Sequence, residues 1–101
     1  MEDISAEEFA QLIAGKNNIN LLDVRETLEY YTFNIGGLNI PLGKLPSAIE
    51  DDDLDFDTGE IIIVICQRGL RSKTAKVILE NAGYKKVRNL IGGIIKLQRI
   101  A

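Results

Sequence analysis

The sequence holds one cysteine and no histidine, and that cysteine opens the run Cys66-Gln67-Arg68-Gly69-Leu70-Arg71-Ser72. With no second thiol, the chain alone cannot form an intrachain disulfide or run dithiol redox chemistry. With no histidine, it cannot build a four-ligand Cys/His zinc site, a His-based triad or an imidazole proton shuttle. What remains is nucleophilic chemistry on Cys66, for which the thiolate is the reactive form. Three features behind it favour that form. A helix beginning after the loop offers unpaired N–H groups and a positive dipole end. Gly69 permits a tight turn that gathers backbone amides into an anion-binding nest. Arg68, Arg71 and Lys73 add cationic charge, with no acidic residue nearby in sequence. A lone cysteine closing an apolar strand is more often an inert core thiol. The charge placement argues otherwise. Helix starts favour Asp or Glu in the first turn, yet this one carries Arg71 and Lys73, which makes sense where an anion sits.

Those residues need elements to hold them. Ile61 to Ile65 (IIIVI) is β-branched throughout and reads as a central strand ending at Cys66. A six-residue loop then leads into a helix from Ser72 to Ala82, with Ala75, Ile78, Leu79 and Ala82 on one face and Gly83 as its stop. Upstream, Ser5 to Glu8 has the form of a capping box opening a helix over Ala6 to Ala14. Ile19 to Val24 reads as a buried strand, Glu26 to Tyr31 as a short helix, Asn34 to Gly37 as a turn and Leu38 to Ile40 as a short strand. Leu42, Leu45 and Ile49 suggest a helical segment limited by Pro46, and Glu50 to Glu60 reads as a solvated acidic loop. Val87 to Leu90 and Ile94 to Ile100 complete the pattern as strand and helix. This alternation predicts an α/β fold, a mainly parallel sheet of about five strands with helices on both faces. Ligands of such sheets bind at the carboxyl ends of the strands, where Cys66 lies.

The 101 residues suit one domain spanning 1–101, and 46% hydrophobic with 27% charged residues is an ordinary globular balance. The acidic Met1-Glu2-Asp3 start is unlike a secretory signal, and the longest apolar run is too short to span a bilayer, so a cytoplasmic location without membrane contact is expected. Residues Met1 to Ile65 carry 14 acidic and 3 basic side chains, whereas Cys66 to Ala101 carry 1 acidic and 9 basic. That split predicts a basic surface from the C-terminal third. The absence of interleaved aromatic residues argues against nucleic acid as its partner.

CQRGLRS resembles the C-x-x-G-x-R-S active-site loop of the rhodanese family, at Cys66, Gly69, Arg71 and Ser72. LLDVRETLEY resembles that family's D-V-R-E and E-Y segment at Asp23 to Glu26 with Glu29 and Tyr30, LNIPL its following segment, and NLIGGIIKL its L-x-G-G segment at Leu90, Gly92 and Gly93. The likeness runs in order from Ser5 to Leu97. Two departures stand out: Phe33-Asn34-Ile35-Gly36-Gly37 replaces the family's G-H-I-P-G-A, and Leu97 replaces its Trp. The N-I-G-G form is similar to rhodanese domains attached to enzymes that activate sulfur-carrier proteins.

The resemblance implies a thiosulfate sulfurtransferase-type enzyme in which Cys66 takes sulfane sulfur as a persulfide and passes it to a nucleophilic acceptor. Amides of Gln67, Arg68, Gly69, Leu70, Arg71 and Ser72 would cradle the sulfur, and Arg68 and Arg71 would hold a small anionic donor. Asp23 and Arg25 would brace the loop through hydrogen bonds or an ion pair with Glu29. No metal or organic cofactor is implied. Possible partners are the donor anion and a protein acceptor or carrier, an acidic one if the basic surface forms. Phosphatases of related fold place five residues between Cys and Arg, whereas four separate Cys66 from Arg71, a smaller ring suited to one sulfur. A regulatory docking module, or a relay serving one protein partner, is the alternative.

Overall fold

The computed structural model describes residues 1–15 and 17–100. Four strands, β1 (Asn20–Asp23), β2 (Leu38–Asn39), β3 (Ile61–Ile65) and β4 (Lys86–Asn89), form one sheet in the order β2-β1-β3-β4, and every pairing is parallel. The sheet has four strands where about five were expected, and beside β4 there is only a single parallel bridge between Ile4 and Leu90. The chain leaves the sheet there because Ser5 at once caps α1 (Ala6–Ala14), its hydroxyl accepting the Glu8 amide at 3.1 Å. The capping box itself is half formed, since the Glu8 carboxylate pairs with Arg88 instead. A reciprocal box forms one helix later, between Glu26 and Glu29 at the start of α2 (Thr27–Thr32).

Strand alternation sorts the core into two halves. Leu22, Ile62, Val64 and Val87 face α3 (Leu45–Glu50) and α4 (Leu70–Asn81), packing with Leu45, Ala48, Ala75 and Leu79. Leu21, Ile63 and Ile65 face α1 and α5 (Gly93–Ile100), packing with Phe9, Ile94 and Leu97. Helices thus cover both faces. Leu97 fills a buried place here without a Trp. Pro46 stands in the first turn of α3, where its missing N–H costs nothing. A 3-10 turn, Leu42–Lys44, leads into that helix. Within the acidic 51–60 segment Leu54 is buried, so this loop is anchored as well as solvated.

The parity of β3 decides where the cysteine points. Ile62, Val64 and Cys66 share the face that carries α4, so the thiol turns toward that helix's first turn. The helix also starts earlier than its sequence predicts, at Leu70 instead of Ser72. Gly69 is the reason: at φ +90° it reverses the chain in one residue, and Leu70 and Arg71 are already helical. The loop is therefore four residues, Cys66 to Gly69, and not six.

Candidate active site

Gly69 is the N-cap of α4 and has no side chain with which to cap it. The third helical residue, Ser72, donates its orphan amide to Cys66 Sγ at 3.3 Å, so the sulfur takes the place of a capping oxygen. The Gly69 amide donates to the same atom at 3.1 Å, and the Ser72 hydroxyl lies 3.3 Å from it. Burial pushes the Cys66 thiol up, but the Ser72 hydroxyl, the Ser72 and Gly69 amides and the Arg68 amide together hold it below the ordinary thiol value. The residue is 1% exposed. It forms the floor of a cleft of about 240 Å³ whose walls are Gln67, Arg68, Leu70 and Arg71.

The loop amides can face the sulfur because the loop carbonyls are engaged on the other side. The first amides of α5 reach up to them: Ile94 N–H donates to Cys66 O at 3.0 Å and Ile95 N–H to Gln67 O at 3.1 Å. Gly93 passes directly beneath. A Cβ there would stand 2.5 Å from Gln67 O and 2.6 Å from Cys66 O, on a residue at φ +64°. Gly93→Ala is expected to destabilise the fold by at least about 2 kcal/mol and to lift the loop off α5. Urea unfolding, with the rate of Cys66 alkylation as the local readout, checks both effects. The N-L-I-G-G segment thus serves the site from below, a role invisible in its spacing.

Asp23 and Arg25 lie at the adjacent end of β1 and are almost fully buried. Their ion pair is internal: Arg25 Nη2 meets Asp23 Oδ2 at 2.8 Å and Nε lies 3.1 Å from both carboxylate oxygens. The remaining guanidinium hydrogens go to Phe33 O at 2.8 Å, Glu29 O at 3.4 Å and, at 3.5 Å, the Gln67 side chain. Arg25 thus reaches the loop through Gln67, while its ion-pair partner is Asp23 and not Glu29. Arg25 and Gln67 also line a second groove, of about 480 Å³, with Leu28, Glu29 and Phe33 on its sides.

The Glu29 carboxylate takes Arg71 instead, Nη1 at 2.6 Å and Nη2 at 2.9 Å. The loop therefore does have an acidic neighbour, supplied by α2. Arg71 remains beside the cleft, with less free charge than its sequence surroundings suggest. Its guanidinium hydrogen bonds are the leading cause that holds the Glu29 carboxyl down at about 2, and the pair raises Arg71 in turn. Because the folded-state value is depressed, the stabilisation is present above the ordinary carboxyl range and is lost as pH falls toward 2. Glu29→Gln is expected to lose modest stability at pH 7, modest because both side chains are 36% exposed. That difference should shrink as pH falls through 2 and be gone only below it, as urea titrations of both proteins would register.

Two more ion pairs cross the same charge divide, Lys76 with Asp3 and Arg88 with Glu8. The basic C-terminal third thus spends part of its charge inside the molecule. Lys85 and Lys86 lie at the opposite end of the sheet from Cys66. The single basic face expected from the charge split is accordingly weakened. Sequence reasoning also passed over Asn89, a buried residue at the end of β4 whose side chain reaches Ser72 Oγ and Gly69 O. Its only advance signal was a polar residue closing an otherwise buried strand.

With this geometry in hand, comparison with known proteins is decisive: the family described as Rhodanese-like domain matches residues 5–99. The chain belongs to the rhodanese-like family. This rhodanese-like domain is 30% identical over 100 residues to a sulfurtransferase of Allochromatium vinosum, covering 98% of the chain and 90% of that protein. It is 36% identical over 93 residues to YrkF of Bacillus subtilis, a protein put forward as a sulfur carrier, covering 91% of the chain and 48% of YrkF. The chain thus spans about half the length of that relative. The human single-domain sulfurtransferase TSTD1 has the same fold, with a TM-score of 0.83 over 98% of this chain and 96% of that one at 24% identity. Among the described residues no helix is long and apolar enough to cross a membrane.

Proposed function

We propose that this rhodanese-like protein is a sulfurtransferase that carries sulfane sulfur as a persulfide on Cys66. The observation that supports this best is the convergence of the Gly69 and Ser72 amides on one sulfur atom at the floor of a cleft walled by Arg68 and Arg71. In the first half-reaction, Cys66 thiolate attacks the outer sulfur of thiosulfate. The S–S bond of the donor breaks, sulfite leaves with the electron pair, and the negative charge moves to the outer sulfur of the persulfide. Amides of the loop and the first turn of α4 stabilise that charge, and Arg68 and Arg71 orient the donor and its leaving sulfite. A nucleophilic acceptor then takes the outer sulfur and regenerates the thiolate. Every step runs on protein groups, donor and acceptor.

A protein acceptor is the second reading, favoured by the surroundings of the cleft. Leu70 on its wall is 71% exposed, and Leu28 beside the neighbouring groove is 79% exposed. Exposed apolar side chains at a cleft suit a docking protein better than an inorganic anion. The test is mass spectrometry of the intact protein after thiosulfate treatment. A gain of one sulfur atom, mapped to Cys66 and removed by cyanide, is expected. Loading without turnover on cyanide would favour the protein acceptor, and no loading at all would overturn the thiosulfate assignment.

A further inference from the structure

Three groups stand in line behind the sulfur: Cys66 Sγ, the Ser72 hydroxyl and the Asn89 side-chain amide. Ser72 Oγ lies 3.3 Å from Sγ on one side and in a short hydrogen bond with Asn89 Oδ1 on the other. The orientation of the Asn89 amide follows from its second partner. Its Nδ2 donates to Gly69 O at 3.3 Å, which leaves Oδ1, a pure acceptor, facing Ser72. Ser72 owns one hydroxyl proton. With that proton on Asn89, the hydroxyl can only accept from Cys66, and the chain reads S–H to O–H to O=C. Once Cys66 loses its proton to solvent, an oxygen lone pair aimed at the thiolate is repulsive, and the Ser72 proton must swing from Asn89 to Sγ. Both side chains are buried, and among the described residues no buried side-chain nitrogen or oxygen lacks a hydrogen-bond partner.

We infer that Asn89 is a positioning residue that competes with Cys66 for the single Ser72 hydroxyl proton, so that the hydroxyl turns toward Sγ in the thiolate and back to Asn89 when Sγ carries no charge. The inference deepens the persulfide reading and rests on it for its functional meaning. In a persulfide the charge lies on the outer sulfur, and Sγ no longer calls for a donor. The hydroxyl then returns to Asn89. The network thus favours the thiolate less than a free Ser72 hydroxyl would, and it is satisfied in the loaded form. The charged groups around the site are Arg68 in the loop, Arg71 on α4, Glu29 and Glu26 on α2, the Asp23–Arg25 pair at the end of β1, and Asp3, whose carboxylate accepts the Asn89 backbone amide at 3.1 Å. Of these only Asp3 also meets the Asn89 side chain, through a hydrogen bond that helps hold its carboxyl below the ordinary value, and the Ser72→Ala background separates that contact from the shared proton.

The test measures the Cys66 pKa from the pH dependence of iodoacetamide alkylation, which needs no sulfur transfer. Asn89→Leu removes the competing acceptor at similar volume, and its Cys66 pKa is expected to fall by about one unit. Asn89→Val, smaller and at home in a strand, should move it the same way if Asn89→Leu folds poorly. In a Ser72→Ala background the Asn89 substitution should leave the Cys66 pKa unchanged, because the shared proton is gone. An unchanged or raised pKa in a folded Asn89 variant, or the same fall without Ser72, would overturn the proposal. The two readings fail separately. Wild-type protein that takes up no sulfur sinks the persulfide reading while leaving the pKa comparison to decide the role of Asn89.

Discussion

Cys66→Ser is expected to lose sulfur uptake by at least about a thousand-fold while keeping its fold. The amides of Gly69 and Ser72 stabilise a thiolate because a thiol is within their reach at neutral pH, and the alcohol that replaces it is not. A serine oxygen is also smaller than sulfur and would sit farther from donors placed at 3.1 and 3.3 Å from Sγ. The fold should tolerate the change. The new hydroxyl remains among N–H donors and the Ser72 hydroxyl, so it is buried with partners, and the cost should stay within about 2 kcal/mol. Intact-mass measurement after thiosulfate, paired with a thermal melt, separates lost chemistry from lost structure. A Cys66→Ser protein that still gained cyanide-labile sulfur would place the nucleophile elsewhere.

Asp23→Ala is expected to be the most destabilising single change at the site, at about 3–5 kcal/mol. Asp23 is fully buried and its partner Arg25 nearly so. Without the carboxylate, the guanidinium keeps only the carbonyls of Phe33 and Glu29 and a long contact to Gln67, none of which carries charge. The carboxylate also accepts the Arg25 backbone amide at 3.0 Å, so the chain leaving β1 would lose its turn. Against a typical total of about 5–15 kcal/mol for a domain, such a loss would bring unfolding close to working temperature. Asp23→Asn, which keeps shape and one acceptor, should fall between the variant and wild type. Urea midpoints rank the three proteins. Per folded molecule, sulfur loading should drop far less than stability, because Arg25 reaches the loop only through the Gln67 side chain. Equal losses in both would instead make Asp23 part of the catalytic machinery.

Much of this site is legible in the sequence. Element order, strand and helix periods and the nest after β3 follow from local rules, which act over a few residues and leave their marks in residue type and spacing. The departures are equally instructive. The helix start at Leu70, two residues early, turned on the φ of Gly69, a freedom any glycine has and only the folded chain uses. The sheet stops at four strands instead of about five; next to β4 only Ile4 pairs, because the cap at Ser5 starts a helix at the following residue.

The sequence by itself determined that one thiol at the end of a buried strand would meet a helix start and a glycine turn. It determined this because each of those features is set by neighbours in the chain. Tertiary structure alone decided which charges survive there. Glu29 reaches Arg71 across 42 positions, and Asn89 reaches Ser72 across 17. The α5 amides hold the loop carbonyls from a segment beyond β4. Electrostatic and hydrogen-bond partners are chosen by distance in space, and packing the helices on a parallel sheet brings strand ends together from remote parts of the chain. Local composition could show that the loop was basic. Only the fold could show that Glu29 neutralises Arg71 and that a buried asparagine holds the proton of Ser72.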